Sequence, residues 1–76
     1  MKSTVKTFIV NSSNFAKVVR IIADAELEGV KVEVENTEEF ITYDKLFSLI
    51  YCESDLCINF NMDDAGFATR VRVELP

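Results

Sequence analysis

Two stretches of this chain alternate strictly between apolar and polar residues, and that period of two limits the fold more than any other feature. Val30, Val32 and Val34 are separated by Lys31 and Glu33, with Glu35 following. Leu56, Ile58, Phe60 and Met62 are separated by Cys57, Asn59 and Asn61. Successive side chains of a strand point to opposite faces, so each stretch reads as a strand with one buried face and one wet face. Wet positions at Lys31, Glu33, Glu35, Asn59 and Asn61 imply an antiparallel sheet covered by helices on one side only.

The remaining elements follow from local signals. Thr4 to Val10 is rich in β-branched and apolar residues and reads as a first strand. Asn11, Ser12 and Ser13 then offer side-chain acceptors to a helix start. Phe15, Val18, Val19, Ile22 and Ala25 recur at the spacing of one helical face, and Gly29 stands where a left-handed cap is needed. Asn36, Thr37 and Glu38 make a turn into a short strand, Glu39 to Thr42. Thr42 caps a second helix over Tyr43 to Cys52, with Asp44 in its first turn.

The tail from Asp63 to Leu75 fits two patterns. As a strand it places Phe67, Thr69, Val71, Val73 and Leu75 on one face. As a helix it groups Phe67, Ala68, Val71 and Leu75, with Asp63 and Asp64 at the positive end and Arg70 and Arg72 near the negative end. Gly66 and the two valines count against a helix, yet the charge placement favours one, and a helix is expected. The expected fold is α+β: an open-faced sandwich with a four-stranded antiparallel sheet and helices on one face. Its order is βαββαβ followed by that C-terminal helix (or strand).

At 76 residues, with two glycines and one proline, the chain has no linker and reads as one domain over residues 1–76. Hydrophobic residues at 49% and charged residues at 28% argue against disorder. So short a chain buries only about 60% of its unfolded surface, which leaves no room for a deep catalytic cavity. No apolar run approaches the length of a signal core or a spanning helix, so a cytoplasmic location without membrane attachment is expected.

Function is narrowed mainly by what is missing. The chain has no histidine, and so lacks the commonest general base, metal ligand and phosphoryl carrier. Cys52 and Cys57 without histidine make a poor zinc site, and both are expected to be core or strand residues. Glu38-Glu39 and Asp63-Asp64 suit solvated turns and caps, and two isolated glycines build no phosphate loop. Ser12 and Ser13 have no base nearby in sequence. No catalysis, cofactor or metal is expected.

Charge is segregated along the chain. Lys2, Lys6, Lys17 and Arg20 precede any acid; from Asp24 to Asp64 there are twelve acids against Lys31 and Lys45. The net charge is -5. Such a balance disfavours nucleic acid and anionic lipid as partners.

The order and spacing of these elements, from about Thr4 to Leu75, resemble HPr, the small phosphocarrier family of the bacterial sugar phosphotransferase system. In its second helix that family writes a pattern like Ala-Lys-Ser-Ile-Met-Gly-Leu-Met-Ser-Leu. Here Tyr43-Asp44-Lys45-Leu46-Phe47-Ser48-Leu49-Ile50-Tyr51-Cys52 is similar in hydrophobic pattern, and a short turn and a strand follow it. The family's phosphorylated histidine lies in Gly-Leu-His-x-Arg-Pro, at the start of the first helix. Aligning the apolar face of that helix puts Asn14 at the histidine, Ala16 at the arginine and Lys17 at the proline. An amide is not a nucleophile. The family's regulatory serine falls on Lys45, with Ser48 three positions on.

The resemblance therefore implies a domain unable to act as a phosphohistidine carrier, one that binds protein partners such as phosphotransferase enzymes or their regulators. By resemblance its docking surface would be Leu46, Phe47 and Ile50 beside Asn14 and Phe15, rimmed by Lys17 and Lys45, while Leu49 and Cys52 face the core. By themselves, Leu46, Phe47, Leu49, Ile50 and Tyr51, which wrap nearly all round the helix, read first as a helix that is simply well buried. Two other readings remain. A ferredoxin-like domain shares the element order and would carry a small ligand or accompany an enzyme. A small acidic inhibitor mimicking nucleic acid would need its acids gathered on one contiguous face.

Overall fold

The computed structural model describes residues 4–52 and 55–75. In chain order the elements are β1 (Thr4–Ile9), α1 (Phe15–Leu27), β2 (Val32–Val34), β3 (Phe40–Ile41), α2 (Tyr43–Cys52), β4 (Cys57–Met62) and β5 (Ala68–Glu74). The fold is α+β with two helices and one five-stranded sheet of order β1-β4-β5-β2-β3.

The local signals act where the sequence places them. Thr42 Oγ1 accepts the Lys45 amide (3.1 Å) at the start of α2. At the end of α1, Gly29 adopts φ 76. Its amide reaches the Glu26 carbonyl and that of Val30 reaches Ala25, at 3.1 and 3.0 Å, closing the helix by a paired backbone cap that needs a left-handed residue. The half-buried Tyr43 hydroxyl donates to the Val30 carbonyl, which ties the start of α2 to the end of that cap. At the front of α1, Asn11 alone of the three expected acceptors takes amides of the turn. Asn11 Oδ1 takes the amides of Ser13 and Asn14 (2.9 and 3.1 Å), and the helix begins at Phe15.

The tail and the sheet differ from expectation. Residues 68–74 form a strand, and the sheet is five-stranded and mixed rather than four-stranded and antiparallel. Asp63 explains the difference. Its Oδ1 accepts the amides of Ala65 and Phe67 (3.0 and 2.9 Å), and Gly66 turns back with φ 89. A short aspartate offers the same hydrogen bond to a helix start and to a tight turn. Here the turn prevails, because Val71 and Val73 are β-branched and gain complete burial as a strand.

Strand β5 then pairs antiparallel with β4 and parallel with β2. It follows that β1, β2 and β5 run one way and β3 and β4 the other. A register shift at Asn61 and Met62 turns Ala68 inward, so Phe67 and Thr69 are exposed rather than aligned with Val71.

Both helices cover the same face of the sheet. Val18, Ile22 and Ala25 of α1 and Leu46 and Ile50 of α2 meet Val32, Ile58, Phe60, Val71 and Val73 in one core. The other face carries Thr7, Glu33, Cys57, Asn59, Asn61, Arg70, Arg72 and Glu74, the one-sided cover that the alternation implied.

Leu46 is fully buried and Tyr51 is 69% exposed, so truncating them separates core from surface. Leu46→Ala is expected to cost about 2–5 kcal/mol, a large share of the roughly 4–11 kcal/mol available to a domain of this size. Tyr51→Ala is expected to cost about 1 kcal/mol or less. Urea unfolding checks both, and equal losses would contradict this placement of α2.

Candidate functional site

The expected docking surface begins at the turn between β1 and α1, and there Asn14 is a structural residue. Its Nδ2 donates to the Ile9 carbonyl and its Oδ1 accepts the Asn11 amide, both at 2.9 Å. Asn11 answers with its own side-chain bonds into the turn, including one from Ser13 Oγ (2.6 Å). The amide at the position matched to a phosphorylated histidine is thus committed at both ends to holding strand to helix.

Next to it, the half-buried Phe15 ring packs on Tyr51, with centroids 5.4 Å apart and planes tilted by 53°. An open depression of about 360 Å³ lies here, lined by Val10, Asn11, Ser12, Phe15, Ile50 and Tyr51, with Asp55 at its margin. The start of α1 and the end of α2 therefore meet at one surface.

The side chains that α2 presents there are not the expected ones. Leu46 and Ile50 are core residues, at 0% and 4% exposure, and Phe47 is half-buried against the same core. Leu49 is half-buried too, while Cys52, expected inside, is exposed. The i, i+4 pair Leu46 and Ile50 defines the buried stripe, so the helix is rotated relative to the orientation carried over by resemblance. Tyr51 takes the exposed place, and no sequence reading singled it out. Its signal was the wrapping of apolar residues nearly all round α2, more than one stripe needs.

The two lysines stand apart from this depression. Lys45 is exposed at the first turn of α2. Lys17 turns toward β1, its ammonium 5.7 Å from the centre of the Phe8 ring.

The bare face of the sheet holds the most connected polar groups. Arg70 forms a bidentate pair with Glu33, from Nε at 2.7 Å and a terminal nitrogen at 2.9 Å. Arg72 donates to Asn61 Oδ1 (3.0 Å) and lies 3.7 Å from Glu35, while its Nε is buried without a hydrogen-bond partner among the described residues. Asn59 receives a bond from Thr7 Oγ1 (2.6 Å) and donates to Glu35 and Glu74. The Arg70 guanidinium, chiefly through its hydrogen bond, holds the Glu33 carboxyl below its ordinary range.

Cys57 Sγ donates to Glu74 (2.9 Å). Burial, followed by that bond and the charges of Glu74 and Glu35, pushes the Cys57 thiol up to about 11. A thiol held protonated is a poor nucleophile. The two cysteines are free and lie on different elements, Cys52 at the end of α2 and Cys57 on the bare sheet face. Among the described residues no group of three or more Cys, Asp or Glu side chains is placed to hold a metal ion. No helix is long and apolar enough to cross a membrane among these residues.

No family model matches this chain, and neither the curated proteins nor the solved structures contain a match.

Two solution measurements follow from these environments. At pH 8 a thiol reagent is expected to modify Cys52 well before Cys57, and Cys57 is expected to react readily only as pH approaches about 11; mass spectrometry after digestion reads this, and comparable rates at pH 8 would refute it. The lowered Glu33 carboxyl contributes stability above its unfolded value of 4.5, and that contribution is lost as pH falls through its lower folded value. Arg70→Met should therefore lower the urea midpoint at pH 7 and change it little near about pH 2.

Proposed function

We propose that the protein is a non-catalytic, HPr-like module that binds protein partners through the surface where the start of α1 meets the end of α2. The observation that supports this most is the Tyr51 ring, largely exposed, packed at a tilt against Phe15 over an open depression next to Asn14. An aromatic anchor with a polar tip, set near a helix end, is the kind of group on which binding energy concentrates. The resemblance puts a phosphorylation site at the same place. Asn14 cannot accept a phosphoryl group there, which leaves docking without transfer.

The likeness to HPr rests on the two helical crossovers and the junction between them, since the sheet has an additional strand. Phosphotransferase enzymes and sugar-responsive regulators of the cytoplasm are the partners this reading names. The two other readings gain less support. For a ferredoxin-like ligand domain, the depressions that the described residues line at the start of α1, at the end of α1 and between α1 and the sheet are all open to solvent. The acids are spread over the end of α1, the turns at Glu38-Glu39 and Asp63-Asp64, and the bare sheet face, where Arg70 and Arg72 interleave with them. A phosphate-like negative face is not assembled from that distribution.

Calorimetric titration against those enzymes and regulators tests the proposal. A complex tighter than about 100 μM is expected, weakened at least about tenfold by Tyr51→Ala and unchanged by Lys45→Ala. Absence of any complex at that concentration, or indifference to Tyr51, would count against it.

A further inference from the structure

Strand β1 ends the sheet, and among the described residues its outer side pairs with nothing. The phase of its hydrogen bonds is fixed by its neighbours. The Val10 amide donates to the Leu56 carbonyl (2.9 Å), and in an antiparallel pair bonded and non-bonded residues alternate. Lys6 and Phe8 therefore turn their peptide groups toward β4, and Val5, Thr7 and Ile9 turn theirs outward. The Ile9 carbonyl confirms this phase, since it accepts the side-chain amides of Asn14 and Asn11 (2.9 and 3.3 Å) instead of a β4 donor. Those bonds close one end of the edge. The outward amides of Val5, Thr7 and Ile9, and the carbonyls of Val5 and Thr7, have no partner among the described residues.

On the helix side, a cleft of about 360 Å³ lies between α1 and the sheet, opening at Lys6 of β1 and reaching past Met62 of β4 to Gly66 in the turn before β5. Lys6, Lys17 and Arg20 line it, with Asp24 as its one acid and Ile21 and Met62 as its apolar walls. None of the three cations has a carboxylate within ion-pair distance among the described residues; the ion pairs formed use Arg70 and Arg72. On the bare side of the same strand, Val5 and Ile9 are each 54% exposed. Lys6, Lys17 and Arg20 thus gather on one side of the molecule, in a chain whose net charge is -5.

We propose that this edge docks an acidic, extended segment of a partner protein, which adds to the sheet beside β1. Main-chain bonds to residues 5, 7 and 9 would hold it, and a strand's alternating side chains would set its pattern. Every second residue faces the helix side, where carboxylates meet Lys6, Lys17 and Arg20. The residues between face the bare side, where apolar groups meet Val5 and Ile9. The segment recognised therefore alternates acid and apolar residues. A nucleic acid offers no main chain to complete the edge, and beyond the cleft it would meet an acidic protein. A second copy paired through β1 would bring like charges together. This surface is distinct from the one around Tyr51, and either can fail without the other.

The probe is a fluorescein-labelled peptide alternating glutamate and valine, titrated at about 50 mM salt and followed by anisotropy. Saturable binding is expected, reduced at least about tenfold by Lys6→Glu with Lys17→Glu. Val5→Pro, which removes an outward amide and no bond to β4, is expected to do the same. N-methylating alternate residues of the peptide should abolish binding to the unaltered protein, a result that stands even where Val5→Pro fails to fold. Tyr51→Ala should leave binding unchanged. No binding at about 1 mM would overturn the proposal, as would binding indifferent to N-methylation or to the charge reversals. Equal affinity for a single-stranded oligonucleotide, or self-association that the peptide does not compete with, would overturn it in favour of those occupants.

Discussion

The parallel pairing of β5 with β2 is the constraint on which the rest of the molecule depends. One half of the sheet is β1 with β4, the other is β2 with β3, and β5 alone is bonded to both. Its inward side chains Val71 and Val73 are fully buried, next to Phe60, Ile58 and Val32. Withdrawing β5 would leave two isolated hairpin-like pairs, each too small to be stable in water by itself. It would also strip both helices of a shared floor. The separation of β1 from β2 by two strands makes α1 cross a broad apolar surface, and α2 does the same from β3 to β4.

Most of the elements were legible in the sequence because each has a local cause. The valines at 30, 32 and 34 and the apolar residues at 56, 58, 60 and 62 state their period directly, and Gly29 and Thr42 act as caps where they stand. The tail was not legible, because Asp63 makes hydrogen bonds that a helix start and a hairpin turn use equally. The burial that Val71 and Val73 gain between β4 and β2 decides between them, and that position is a property of the whole sheet. Sheet order was hidden for the same reason: pairing partners lie far apart in sequence, and no local pattern names them.

The site shows the same division. The start of α1 and the end of α2 share a surface, and the orientation of α2 there differs from the one carried over by resemblance. Leu46, Phe47, Leu49, Ile50 and Tyr51 offer several buried stripes of similar hydrophobicity, and packing against β-strands selects Leu46 with Ile50. Asn14 was singled out as a residue that cannot carry phosphate; its bonds to Ile9 and Asn11 give it a positive role in the turn. The bare sheet face was legible as wet, while its ordering into paired arginines and carboxylates depends on register across three strands.

The position of β5 also bears on how the chain reaches this state. During synthesis β1, β2, β3 and β4 all leave the ribosome before residues 68–74 do. Until those residues emerge, the inner edges of both halves stay open and the valines of β2 lack their neighbours. The pairing of β1 with β4 and that of β2 with β5 both join residues far apart in sequence, contacts that form slowly compared with either helix. Over that interval the nascent chain exposes the two strand edges most able to pair with something else.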